Sequence, residues 1–215
     1  MTRPSIVLFA VAALALAAGP VAAQTETAEP AGESAPAAAF DTSYRPSMVV
    51  SARLQRQFLD AIRWSAGVEA RDRLAATFAE RSPVEIWQEL VAPDGLQPNN
   101  VADALAAYWV LNWVIANAAY DVEVDSGPVR AQVSLAMAND ANFRTMGDQQ
   151  KQELAEGYIL NFLLEHAALN DAVARKDEAA LSRLATAAVT RFRRQMGVDL
   201  LSLVPGPEGL VPKAR

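Results

Sequence analysis

Residues 100–120 read NVADALAAYWVLNWVIANAAY, and no arrangement of this stretch leaves a face for water. At about 100° per residue, Tyr120, Trp113 and Asn117 fall within about 80° of Trp109, together with Ala102 and Ala106. Leu111, Ile115 and Tyr108 fill the opposite half, and Val110 and Val114 close the gap. A helix apolar on every side has to be surrounded by other helices. The chain is therefore expected to be all-α, a compact single-domain bundle of about six or seven helices around this central apolar one.

The flanking segments supply the partners. Val50, Leu54, Phe58, Ala61, Ile62 and Ser65 share one face of a helix expected over 48–65, entered through Pro46 and capped by Ser47. Gly67 weakens it, and VEARDRLAATFAER reads as a second helix or a continuation. Ser82-Pro83-Val84-Glu85 combines an N-cap, proline at N1 and glutamate at N3. Pro93-Asp94-Gly95 ends that short helix as a turn. Asn100 then caps the central helix, with Asp103 favourably placed near the positive end of its dipole. Gly127-Pro128 is read as a break before a helix at 129–140. A long helix over 149–174 follows, then a last one over 178–196 capped by Asp177 and closed by Gly197. Residues 205–215 carry too many prolines and glycines for a regular element and are read as an irregular tail.

The N-terminus reads as an export signal. Arg3 precedes the apolar run Ile6 to Ala18, Gly19-Pro20 breaks it, and Val21-Ala22-Ala23 offers small residues for cleavage before Gln24. The run is shorter than the roughly 20 residues a spanning helix needs. Residues 1–23 are thus expected to be a signal peptide, 24–41 a disordered Ala/Pro/Glu linker, and 42–204 the helical domain. The expected location is periplasmic or secreted. The competing reading keeps Ile6–Ala18 uncleaved as a tether to the inner membrane. No later segment is long and apolar enough to span a membrane.

Composition narrows the chemistry. The chain has no cysteine and one histidine, which removes disulfides, thiol chemistry and most zinc and haem ligation. No metal site or cofactor is expected. Losing Arg3 from 19 basic residues set against 25 acidic ones leaves the remainder more acidic still. That speaks against nucleic acid, whose binding rests on phosphate neutralisation, and more weakly against docking on anionic lipid.

A few side chains could carry function. Asn112 and Asn117 sit among the aromatics of the central helix, and polar groups beside Trp and Tyr are what a small-molecule pocket looks like. Trp109, Trp113 and Asn117 are the ligand-binding candidates, with a satisfied core network as the bland alternative. Glu165 shares a face with Tyr158, Phe162 and Leu169; burial there would raise its pKa, the usual route to a general acid. It is the catalytic candidate, with Asp103 as a possible second carboxylate; the alternative is a rim position or pairing with an arginine such as Arg53, Arg56 or Arg63. His166 lies at the margin of an apolar face without a placed nucleophile or a G-x-S-x-G elbow. Glu153 and Glu156 lack the E-x-x-H companion of a di-iron bundle. RFRRQMG, 191–197, gathers three arginines at a helix C-terminus, where they complement the dipole.

YRPS after the linker, GLQPNNVADALAAYW in the middle and QMGVDL near the end resemble a family of bacterial exported proteins of unknown function. The resemblance covers about residues 42–204 and implies an exported all-helical domain. It carries over no activity, cofactor or site residue. Two functions follow as expectations: a non-enzymatic envelope protein binding a protein or small-molecule partner, or a hydrolase of envelope material with Glu165 as acid.

Overall fold

In a computed structural model, residues 40–214 are described. The expected signal peptide and all but the last two residues of the expected linker lie outside the described residues. Eight α-helices are present among the described residues: α1 Met48–Ala66, α2 Val68–Glu80, α3 Pro83–Val91, α4 Val101–Ala116, α5 Ser126–Asn139, α6 Ala141–Arg144, α7 Asp148–Ala174 and α8 Glu178–Gln195. The all-α bundle expected from the sequence is what the chain forms.

The central helix behaves as its composition demands. α4 is walled in by α5, α7 and α8, and its side chains from Val101 to Tyr108 are all buried. Its alanines at 102, 104, 106 and 107 let these neighbours approach closely. α1 lies against α7 and folds back through Gly67 (φ 91°) onto α2, where Phe58 and Phe78 meet at 6.5 Å. None of the described helices is long and apolar enough to cross a membrane.

Helix starts follow local capping chemistry. Ser82 and Glu85 form a reciprocal capping box, with Pro83 at N1. Asn100 Oδ1 accepts from the N–H groups of Ala102 and Asp103. Two starts differ from expectation. Ser47 occupies the N-cap of α1 but makes no side-chain cap; its N–H and carbonyl instead bond the carboxamide of buried Gln152, at 2.9 and 3.0 Å. Gly127-Pro128 does not break the chain ahead of α5. It lies inside the first turn, capped by Asp125, where a proline's missing N–H costs nothing because those donors have no helical partner.

The C-terminal end corrects the irregular tail expected for 205–215. Leu203–Gly206 (β1) and Gly209–Pro212 (β2) pair antiparallel, Leu203 opposite Pro212 and Gly206 opposite Gly209. A two-residue connection joins them, and Gly209 takes φ 104°, a conformation open to glycine. Two strands have only edges, so prolines at 205 and 212 are tolerated. The hairpin is fastened to α5 through Gln132, whose carboxamide bonds both the N–H and the carbonyl of Leu210 at 3.0 Å.

Residues 40 and 41, placed in the expected linker, pack against the domain. Phe40 packs edge-on against Phe143 at 5.9 Å. Lys151 Nζ donates to the carbonyls of Asp41 and Ser43 at 2.9 and 3.1 Å. Ser43 forms a bridge with Asn100, flanked by Tyr44 N–H to Asn99 O and Val101 N–H to Thr42 O, each 3.0 Å. The YRPS and NNVAD stretches therefore touch, and the entering strand is clipped to the start of the central helix.

Candidate functional site

Four polar side chains converge where α4, α7 and α8 meet. Tyr108 and Asn112, one turn apart on α4, face Glu165 of α7 and Arg191 of α8. Arg191 Nη1 lies 2.7 Å from Glu165 Oε1, and Nη2 donates to Asn112 Oδ1 at 3.1 Å. Asn112 Nδ2 donates to the carbonyl of Tyr108 at 2.9 Å, so both ends of this fully buried amide are used. The Tyr108 hydroxyl is 3.4 Å from Glu165 Oε1, a long and weak contact. Its ring is flanked by Tyr158 at 5.5 Å and Phe192 at 5.8 Å, with the Arg191 guanidinium 5.9 Å from its centre. Glu165 Oε2 and Arg191 Nε have no hydrogen-bond partner.

The electrostatics follow from this geometry. Desolvation pushes the Glu165 carboxyl above its ordinary range, against the pull of Arg191 and the Tyr108 hydroxyl. Burial, with Glu165 nearby, pushes the Tyr108 phenol up as well. Tyr158 is driven up to about 12 by burial alone. Burial thus raises the Glu165 carboxyl in the direction a general acid needs, but its Oε1 is already held by an arginine.

Asp103 stands elsewhere. Its side chain is 0% exposed, with Oδ2 accepting from the Gln97 N–H at 2.8 Å and Oδ1 lying 2.6 Å from Arg130 Nε of α5. Burial raises its pKa, opposed by Gln97 and Arg130. Five residues separate Asp103 from Tyr108, about 140° around α4 and ~7.5 Å along it. One carboxylate therefore faces α5 and the other α8, each with its own arginine, and they do not line a common cleft.

The tryptophan candidates serve the C-terminal segment. Trp113 Nε1 donates to the carbonyl of Leu203 at 3.0 Å. Asn117 Nδ2 donates to the carbonyls of Trp113 and Leu200 at 3.1 and 3.2 Å. Leu200 and Leu203 are buried there, so chain fills the space a ligand would take beside these two residues. Half-buried Trp109 meets Phe192 edge-on at 5.5 Å, its Nε1 without a partner.

His166 stacks on Phe162 at 5.6 Å and sits beside Asn170; burial lowers its pKa. Glu153 pairs with Arg53 across the α1–α7 seam. Among the described residues no group of three His, Asp or Glu side chains is placed to hold a metal ion. One polar cluster was not singled out from the sequence. Gln152 Nε2 donates to Ser51 Oγ and Glu156 Oε1, and Ser51 Oγ donates to Glu156 Oε1 at 2.7 Å. Gln152 and Glu156 are one turn apart opposite Ser47 and Ser51; that double spacing was the available signal.

The three arginines of 191–197 go separate ways. Arg191 turns inward, Arg193 pairs with Asp199 at 2.8 Å, and Arg194 is exposed.

The chain has no significant match among curated proteins or among solved structures. A family model does match, over residues 17–212, which extends at both ends beyond the region suggested by the three motifs. On that match, the chain belongs to DUF6683, a family of unknown function.

Proposed function

We infer that this is a non-enzymatic binding domain of the cell envelope, exported by its N-terminal segment. The observation that carries the reading is the pairing of both candidate carboxylates with their own arginines, Glu165 with Arg191 and Asp103 with Arg130, on different sides of α4. A general acid needs a free proton-bearing oxygen within reach of a substrate and a second group to complete the reaction. Neither carboxylate has the other for a partner. A binding role asks only for a rigid frame that presents complementary groups at an accessible edge, and the joint of Arg191 with Glu165 and Asn112 fixes α8 in such a frame.

The hydrolase reading keeps one observation in its favour, the burial-raised pKa of Glu165 with Oε2 unbonded. In that reading Glu165 Oε2 would carry the proton donated to a leaving group. The Arg191 contact at 2.7 Å opposes it by favouring the ionised form.

Native mass spectrometry of the protein released gently from its own envelope fraction tests the proposal. The expected spectrum shows a chain beginning at Gln24 carrying a reproducible extra mass. A chain retaining residues 1–23 would overturn the cleavage, and a bare mass in repeated preparations would overturn the binding role.

A further inference from the structure

The outer face of α8 is basic. From Ser182 to Gln195 the sequence holds four arginines and no acid, in a chain where acids outnumber bases 25 to 19. Ser182, Arg183, Thr186, Ala187, Thr190 and Arg194 line an open hollow along this face, as do Arg191 and Gln195. Arg183 and Arg194 are exposed and, among the described residues, make no ion pair with an acid. Eleven residues apart, they lie within about 20° of each other around the helix and ~16 Å along it. Ala187 between them leaves room for a ligand to approach the backbone cylinder. Thr186 already donates to the Ser182 carbonyl, so Ser182 and Thr190 are the hydroxyl donors.

We propose that this face binds a short soluble ligand bearing two or more phosphate groups. The proposal rests on the binding reading above and names its ligand class. Guanidinium forks take two oxygens of one phosphate, and its third oxygen suits a neighbouring hydroxyl. The separation of Arg183 and Arg194 asks for more than one anionic group. A lipid surface is the poorer source, because no large apolar side chain on this face could enter a bilayer. Nucleic acid is poorer too, since no aromatic ring lines the hollow to stack a base. Arg191 links this face to the interior: its Nη atoms are held by Glu165 and Asn112, while its Nε has no partner.

The test is a titration of the ¹⁵N-labelled full chain with inorganic tripolyphosphate at low salt. Saturable shifts confined to Ser182–Gln195 are expected. The double substitution R183Q/R194Q is expected to weaken binding at least about tenfold. R175Q, whose side chain pairs with Asp171, should leave it unchanged. All three positions are exposed, and the spectrum itself reports whether each variant is folded. Shifts scattered over many surface bases, or a double variant that binds as well as the parent, would overturn the site. Binding to phosphatidylglycerol vesicles without binding to tripolyphosphate would overturn it in favour of a lipid source. If native mass spectrometry finds a bound mass while tripolyphosphate fails to bind, this inference falls and the binding reading stands.

Discussion

The Thr42 hydroxyl donates a 2.7 Å hydrogen bond to Asn100 Oδ1, the same oxygen that caps α4 through the Ala102 N–H at 2.9 Å. One side-chain oxygen thus starts the central helix and fastens the entering chain. Asn100→Ala is expected to lose about 2 kcal/mol, more than the ~1 kcal/mol typical of a cap alone. Thr42→Val should lose less, because the cap survives. Urea denaturation of both variants measures this, and equal losses would contradict the shared-acceptor account.

Trp113 and Trp87 offer a matched comparison. Both are buried, but only Trp113 Nε1 finds an acceptor, the Leu203 carbonyl; Trp87 Nε1 has none. Replacing either by phenylalanine removes a similar volume. Trp113→Phe should cost about 1 kcal/mol more than Trp87→Phe, the worth of a hydrogen bond whose acceptor is left unpaired. It should also speed hydrogen exchange at the β1–β2 amides. Unchanged exchange there would show that the indole does not hold the hairpin.

Asp103 should tolerate asparagine better than alanine. Asparagine keeps an oxygen for the Gln97 N–H and loses only the ion pair to Arg130, whereas alanine also leaves the Gln97 N–H without its acceptor. Expected losses are about 1 kcal/mol and about 3 kcal/mol. Thermal unfolding distinguishes them, and similar midpoints would mean that an acceptor oxygen at 103 is not needed for the turn at 95–97.

Glu165 predicts a pH dependence with a definite sign. Its folded pKa lies above the ordinary carboxylate value, chiefly through desolvation. Between those two values the folded chain binds more protons than the unfolded one, so this group's contribution to stability falls as pH rises through that window. Glu165→Gln removes the titration. The stability advantage of the parent over the variant should therefore be larger below pH 4.5 than at pH 8. An advantage that grows with pH would mean that Arg191 outweighs burial.

The sequence was informative where a property is local or periodic. The apolar encirclement of α4, the caps at Ser82, Asn100 and Asp177 and the glycine closing α8 are all written in neighbouring residues. Trp113 and Asn117 were ambiguous because aromatic and amide groups in an apolar helix look alike beside a ligand and beside another part of the chain. Their acceptors, Leu203 and Leu200, lie more than eighty residues away. The hairpin was hidden for a related reason. Its prolines argue against a strand in isolation, and what holds it, Gln132 and Trp113, is supplied by distant helices. The pairing of Glu165 with an arginine was foreseen in kind, but the arginine came from α8 rather than from the candidates near α1, since helix topology is not encoded in spacing.

Glu165 and Arg191 join α7 to α8, and on the proposed reading the domain they brace binds rather than reacts. Native mass spectra of the parent and of Glu165→Gln, each taken from the same envelope fraction, test it together. The same bound mass is expected on both. A folded Glu165→Gln chain that accumulates a heavier, uncleaved species absent from the parent would mark a trapped substrate and contradict it.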